Sequence, residues 1–243
     1  MRIPRDPYLM KKIAQERVLR AARGRLMVFE NAKHGLADTV DLARAEGEIR
    51  TIVDVGANTG QSALRFRAAF PSARIISLEP IRATYDELVR RTRGADVECH
   101  RLAVGSSSGR ATMHLTPFSE TNSLIRPPDD ELRGVEEVDV ATLDDFLRDN
   151  GISTIDLLKV DAEGYDLEVL RGAAKTLSEG RMRFVMAEVG FHPGDDRHPL
   201  FDEVRDMLRI YGFAVFGIYE QNLEWTGVPA MRFANAIFCR SSE

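Results

Sequence analysis

The chain has 243 residues, 44% of them apolar and 29% charged, and a net charge of −5; it is long enough for one large α/β domain with a proper core, and a pI near 5.7 argues against a nucleic-acid-binding surface spread over the molecule. No run approaches the roughly 20 consecutive apolar residues of a transmembrane helix, and the basic start "MRIPRDPYLMKK" lacks the apolar segment and cleavage site of a secretory signal. Cys99 and Cys239 make no disulfide framework, so the expected location is cytoplasmic and the two thiols are expected to be buried small hydrophobes.

Residues 1–48 are expected to form an N-terminal helical extension and residues 49–243 the main domain. Within the extension, "YLMKKIAQERVLRAAR" sets Leu9, Ile13 and Leu19 among charges and stops at Gly24, the pattern of an amphipathic helix. It either packs on the main domain or, being rich in Lys and Arg, makes a peripheral contact with an anionic membrane surface or an acidic carrier. A second short helix is predicted over "ADTVDLARAEG".

From Thr51 onward β-rich runs alternate with helical segments. "TIVDVG", "ARIISLEP", "DVECHRLAVG", "IDLLKVDAEG" and "FVMAEVG" are apolar on both faces, as strands covered by helices on each side must be. The pattern predicts a doubly wound, mostly parallel sheet. Between the third and fourth runs lies an insertion: a strand at "GRATMHL", a loop around Pro127 and Pro128, and "EEVDVATLDDFL", a strand leading into a helix started by Thr142 and Asp144. It could reach over the carboxyl edge of the sheet. "AVFGIYE" and "NAIFCRS" close the chain with too little between them for a crossover helix, so they are expected to pair antiparallel. The result is seven core strands, the last antiparallel, in a Rossmann-like plan.

"DVGANTG" stands at the first strand–helix turn, where open α/β sheets bind ligands. Gly56 and Gly60 permit positive φ and close backbone approach, and the following helix offers unpaired N–H groups. Asp54 would repel a dinucleotide pyrophosphate but welcome a ligand carrying an ammonium and a sulfonium. That points to S-adenosylmethionine. Glu79, at the end of "ISLEP", sits at the neighbouring strand tip, where a carboxylate can accept hydrogen bonds from both ribose hydroxyls. A G-x-G-x-x-G fingerprint for a nicotinamide cofactor is absent.

"VDVGANTGQSALRF", "SLEP", "LAVG", "TNSL", "TLDDF", "DLLKVDAEGYDLEVLRGA", "FVMAEV" and "NAIFCR", in this order over Ile49 to Arg240, resemble the FkbM family of S-adenosylmethionine-dependent methyltransferases. The resemblance implies a class I methyltransferase fold and O-methylation of a hydroxyl on a sugar or a polyketide-type product. It places Asp54, Gly56, Ala57, Asn58 and Gly60 around the methionine part of the cofactor, Glu79 with Pro80 at the ribose, Leu102 and Ala103 beside adenine, and Asp161 facing the methionine or the reacting centre. The acceptor expected is a small molecule or a glycolipid, not a nucleic acid.

A sugar hydroxyl needs positioning and gains from a base that takes its proton. The candidates are Asp161 with Glu163, Glu188 in "MAEVG", and His192 in "GFHPGDDRHP", a loop where His198 is equally available. Asp161 and Glu188, at adjacent strand tips, could instead hold Mg²⁺. Glu163 could equally cap the helix that follows it. His100 and His114 are read as structural. Trp225, with Tyr219 and Phe233, is either core or a platform for a sugar ring, and Asn122 either contacts a ligand or makes a turn. Two other readings stay open: a domain that binds cofactor or a partner without turnover, and an N-methyltransferase, although the amino-group motif that usually marks the latter is missing after the fourth strand.

Overall fold

The computed structural model describes residues 48–193, 197–224 and 230–240. The two helices expected before residue 48, and Trp225, lie outside them. Ten strands and six α-helices follow in order: β1 (Thr51–Val55), α1 (Gln61–Ala69), β2 (Arg74–Leu78), α2 (Arg82–Arg91), β3 (Val97–His100), β4 (Ala103–Val104), β5 (Gly109–Leu115), β6 (Gly134–Ala141), α3 (Leu143–Asp149), β7 (Ile155–Val160), α4 (Asp166–Arg171), α5 (Ala174–Ser178), β8 (Met182–Gly190), α6 (Phe201–Ile210), β9 (Phe213–Glu224) and β10 (Ala230–Arg240).

Seven strands form one sheet in the order β3-β2-β1-β7-β8-β10-β9. All neighbours are parallel except β10, which runs antiparallel to both β8 and β9. The strand order reverses between β1 and β7, whose partners run from Ile52 opposite Leu157 to Val55 opposite Val160. A crevice opens at such a reversal because the connections leave it in opposite directions.

Alternation along each strand divides the core. Val53, Val55, Ile76, Leu158, Val160, Val185 and Ala187 face α3 to α6 and pack with Phe146, Leu170 and Leu208. Ile52, Ile75, Leu157, Phe184 and Ile237 face the other way and pack with Ala63 and Phe66 of α1. On the α1 face each central strand turns polar toward the carboxyl edge: Asp54 follows Ile52, Lys159 follows Leu157, and Glu188 lies two residues beyond Met186. Hydrophobic burial fixes the strands, and their period of two delivers these charges to one place.

"DVECHRLAVG" is two strands rather than one. β3 joins the main sheet beside β2, whereas Ala103 and Val104 pair with Val140 and Ala141 of β6. The insertion thereby builds its own three-stranded sheet, β4-β6-β5. Thr142 caps α3, its hydroxyl accepting from Asp145 N at 3.0 Å. Asp144 serves a different helix, accepting from Lys175 N and Thr176 N at the start of α5.

Candidate active site

A cleft of about 240 Å³ lies at the reversal point and runs beneath the insertion. Gly56, Ala57, Asn58, Glu79, Pro80, Leu102, Ala103 and Asp161 all line it. Asp54 and Gly60 do not. Asp54 is 0% exposed within β1, and Gly60 is turned toward α2, where an added Cβ would meet Leu88 Cδ1 at 2.9 Å.

Backbone proximity explains the other glycine. Gly56 has φ +74°, and a Cβ there would lie 1.8 Å from the carbonyl oxygen of Asp161. It is required because the ends of β1 and β7 touch, with Asp161 N donating to Val55 O at 3.1 Å.

Glu79 is anchored by the backbone. Its Oε2 accepts from Asn58 N at 3.1 Å and its Oε1 from Ile81 N at 3.0 Å. A carboxylate has about four acceptor positions, so two remain for a ligand in the cleft. Burial pushes its pKa up to about 7, against the pull of the two backbone bonds. Beyond it, Ile81, Leu102, Ala103, Met113 and Leu124 make an apolar end suited to a flat ring.

Lys159, not among the residues expected from the sequence, organises the opposite end. Its ammonium lies 3.0 Å from Asp161 Oδ2 and 3.5 Å from Asp54 Oδ1. Burial alone would lower its pKa, but Asp161 and Asp54 more than offset that and hold it above the ordinary lysine value. Burial raises the pKa of Asp54, with Lys159 working against it, and neither Asp54 oxygen has a hydrogen-bond partner. The sequence signal was a lysine inside the apolar run "DLLKV", a residue that is rarely buried without partners.

Asp161, Glu163 and Glu188 each bring a carboxylate oxygen within 4.8 Å of the others. Burial, then the neighbouring Asp161 and Glu188 charges, push Glu163 up to about 8. The N-cap of α4 is Tyr165, with no side-chain cap bond. Asp166 holds the turn instead, accepting from Ala162 N at 3.3 Å and Gly164 N at 3.2 Å. Of the two loop histidines, His198 is the one brought in: its Nε2 is 3.4 Å from Glu188 Oε2, and its ring stacks on Phe233 at 4.5 Å. His192 is exposed, and neither it, His198 nor Glu188 is part of the cleft lining.

The insertion closes over this floor. Ser123 Oγ donates to Glu163 O at 2.7 Å, Ser119 Oγ reaches Asn58 Oδ1 at 3.4 Å, and Glu131 pairs with Arg197. Asn122 both lines the cleft and makes a turn, its Oδ1 accepting from Thr116 N at 2.8 Å. His100 packs edge-on against Phe146.

The model of the methyltransferase FkbM domain matches residues 54–215, and the chain belongs to that family. The 2-O-methyltransferase NoeI of Sinorhizobium fredii is 26% identical over 152 residues, covering 56% of this chain and 62% of that protein. The hexuronic acid methyltransferase AglP of Haloferax volcanii is 27% identical over 165 residues, covering 67% and 64%. The chain spans about six tenths of the length of the curated relatives it matches. Among solved structures, the methyltransferase FkbM of Methylobacillus flagellatus superposes with a TM-score of 0.51 at 20% identity, covering 79% of this chain and 43% of that one. The fold is that of the class I methyltransferases.

Proposed function

We propose that the protein is an S-adenosylmethionine-dependent O-methyltransferase acting on a hydroxyl of a sugar, free or carried on a lipid or natural product. The observation that carries the reading is that Glu79 and Asp161, on opposite sides of the strand-order reversal, face one cleft. The spare acceptor positions of Glu79 match a ribose diol, the apolar end near Met113 matches adenine, and Asp161 is left for the charged methionine end. Bound there, the cofactor supplies an electrophilic methyl group on a sulfonium.

The chain's own contribution is positioning and proton transfer. Lys159 holds Asp161 Oδ2, which leaves the other oxygen for ligands. Glu188, with His198 against it, takes the hydroxyl proton as the new bond forms. Two relatives, named as a 2-O-methyltransferase and a hexuronic acid methyltransferase, support oxygen and sugar chemistry.

The same three carboxylates would also hold a divalent cation such as Mg²⁺, which would lower the hydroxyl pKa. The raised pKa of Glu163 shows a second way to relieve their repulsion, by keeping a proton. Chelator-treated protein separates the two: undiminished turnover assigns the work to the carboxylates. Among the described residues no helix is long and apolar enough to cross a membrane; a cytoplasmic location and a peripheral membrane contact through residues 8–23 belong to this reading. Deleting residues 1–24 without loss of activity on a vesicle-borne glycolipid would remove the membrane contact.

The test is incubation of the full chain with labelled S-adenosylmethionine and a panel of glycosides. Methyl incorporation that depends on the glycoside supports the reading. Cofactor binding with no transfer to any hydroxyl would favour a binding module instead.

A further inference from the structure

Between β7 and α4 the chain makes a tight turn at the floor of the cleft. Tyr165 N donates to Ala162 O at 3.1 Å, and the two residues between them, Glu163 and Gly164, take φ +49° and +90°. Positive φ at both central positions is the type I′ pattern, which glycine, asparagine and aspartate dominate. Glycine fills the second position here, but the first carries a glutamate. Left-handed backbone at such a residue persists only where the surroundings over-determine it, and it clusters at functional sites.

Two anchors over-determine this turn. From the α4 side, the buried Asp166 carboxylate accepts from Ala162 N at 3.3 Å and Gly164 N at 3.2 Å. From the insertion, Ser123 Oγ donates to Glu163 O at 2.7 Å. Ser123 is 8% exposed and is itself fixed: its backbone exchanges bonds of 2.8 and 3.2 Å with His114 of β5, and its Oγ accepts from Ile125 N at 3.0 Å. Asn122 and Leu124 on either side of it line the cleft, whereas Ser123 does not. Its hydroxyl therefore serves the turn and not a ligand.

The turn delivers a carboxyl group to the cleft. Glu163 lines it together with Asp161, and a Glu163 carboxylate oxygen lies within 4.8 Å of one from Asp161 and one from Glu188. Asp161 is already engaged by the Lys159 ammonium at 3.0 Å. Among the described residues the Glu163 carboxylate makes no hydrogen bond or ion pair, so it is the wall's uncompensated negative group when ionised.

We propose that Glu163 is the carboxylate that faces the sulfonium of bound S-adenosylmethionine and that Ser123 is its positioning residue. By gripping the Glu163 carbonyl, the insertion keeps the left-handed turn that aims this side chain into the cleft. An anion placed there attracts the positively charged cofactor more than the neutral sulfur of S-adenosylhomocysteine, so the site releases its product in favour of fresh cofactor. The inference rests on the methyl-transfer reading, and its test needs no acceptor.

The full chain is titrated calorimetrically with S-adenosylmethionine and with S-adenosylhomocysteine at about pH 8.5, which keeps the Glu163 carboxyl ionised. The wild-type protein is expected to bind the methylated form more tightly. Glu163→Gln should reduce that preference by about tenfold while affinity for S-adenosylhomocysteine stays near wild type. Ser123→Ala should reduce it by about threefold, Ser123→Thr, which keeps the hydroxyl, should restore it, and Ser123→Ala added to Glu163→Gln should change it no further, because the two act as one unit. Glu163→Asn, better suited to the turn, should raise the midpoint of thermal unfolding by about 2–4 °C and still lose the preference, a combination that a purely structural glutamate would not give. An unchanged preference in Glu163→Gln overturns the inference, and that variant decides even if Ser123→Ala does not fold. A Ser123→Ala effect that persists in full in the Glu163→Gln background overturns the positioning role. If wild type binds both ligands and only the preference is missing, this inference alone fails; if it binds neither, the cofactor reading fails and this inference falls with it.

Discussion

Lys159 stands directly across the parallel ladder from Asp54, and its ammonium, 3.5 Å from Asp54 Oδ1, is the charged partner of a carboxylate with no solvent exposure. The pair ties β1 to β7 beneath the cleft and presents Asp161 above it. Removing one partner of a buried pair leaves the other uncompensated, at a cost of about 3–5 kcal/mol. Lys159→Met is therefore expected to lower stability by that amount in urea unfolding. The double variant Asp54→Asn, Lys159→Met should lose less than the single one, since no buried charge remains in the strand.

The glycines of the first turn make unequal demands. At Gly56 a methyl would overlap a backbone carbonyl that cannot swing away. Gly56→Ala is expected to cost at least about 4 kcal/mol or prevent folding. At Gly60, with φ +88°, the obstructing atoms are the side-chain tips of Leu88 and Thr92, and Gly60→Ala should cost about 1–3 kcal/mol. Thermal unfolding of both variants gives the order.

Raised carboxyls shape the pH response of the ligand-free protein, and Asp54 is one of them. Glu79 and Asp166 are pushed up to about 7 and Glu163 to about 8, each first by burial. A carboxyl whose folded pKa lies above its unfolded value binds its proton more tightly when folded, so stability falls as pH rises through the folded pKa. The midpoint of thermal unfolding is expected to drop from about pH 5, just above the ordinary carboxyl values, to about pH 8. A midpoint that rises across this window would contradict the assignment.

Much of this was legible in the sequence, and the exceptions share a cause. β1, β2, β7 and β8 announce themselves as apolar runs because both faces are covered. "DVECHRLAVG" gives the same local signal throughout, yet its halves join different sheets, since sheet membership is decided by partners distant in the chain. Asp54 reads as a ligand contact because it precedes a glycine turn; one position before the tip it is still inside the strand, and its side chain meets Lys159, which no local pattern pairs with it. No local pattern separates His192 from His198, and only the packing of Phe233 and Glu188 selects the second.

That selection is testable by kinetics. Glu188→Gln is expected to lower kcat by a factor on the order of 10²–10⁴ while cofactor affinity stays near wild type. His198→Asn should follow in the same direction and alter the pH profile of kcat. His192→Asn should cost far less than either; a larger loss at His192 would return the base to that loop, one of the three places the sequence offers.

Glu79 and Asp161, facing one cleft, are proposed to hold the cofactor between them, and calorimetric titration of the full chain with S-adenosylhomocysteine measures that. Micromolar binding, about −8 kcal/mol, is expected, abolished in Glu79→Ala with the fold retained. Absence of binding to well-folded wild-type protein, or undiminished binding by Glu79→Ala, would contradict it.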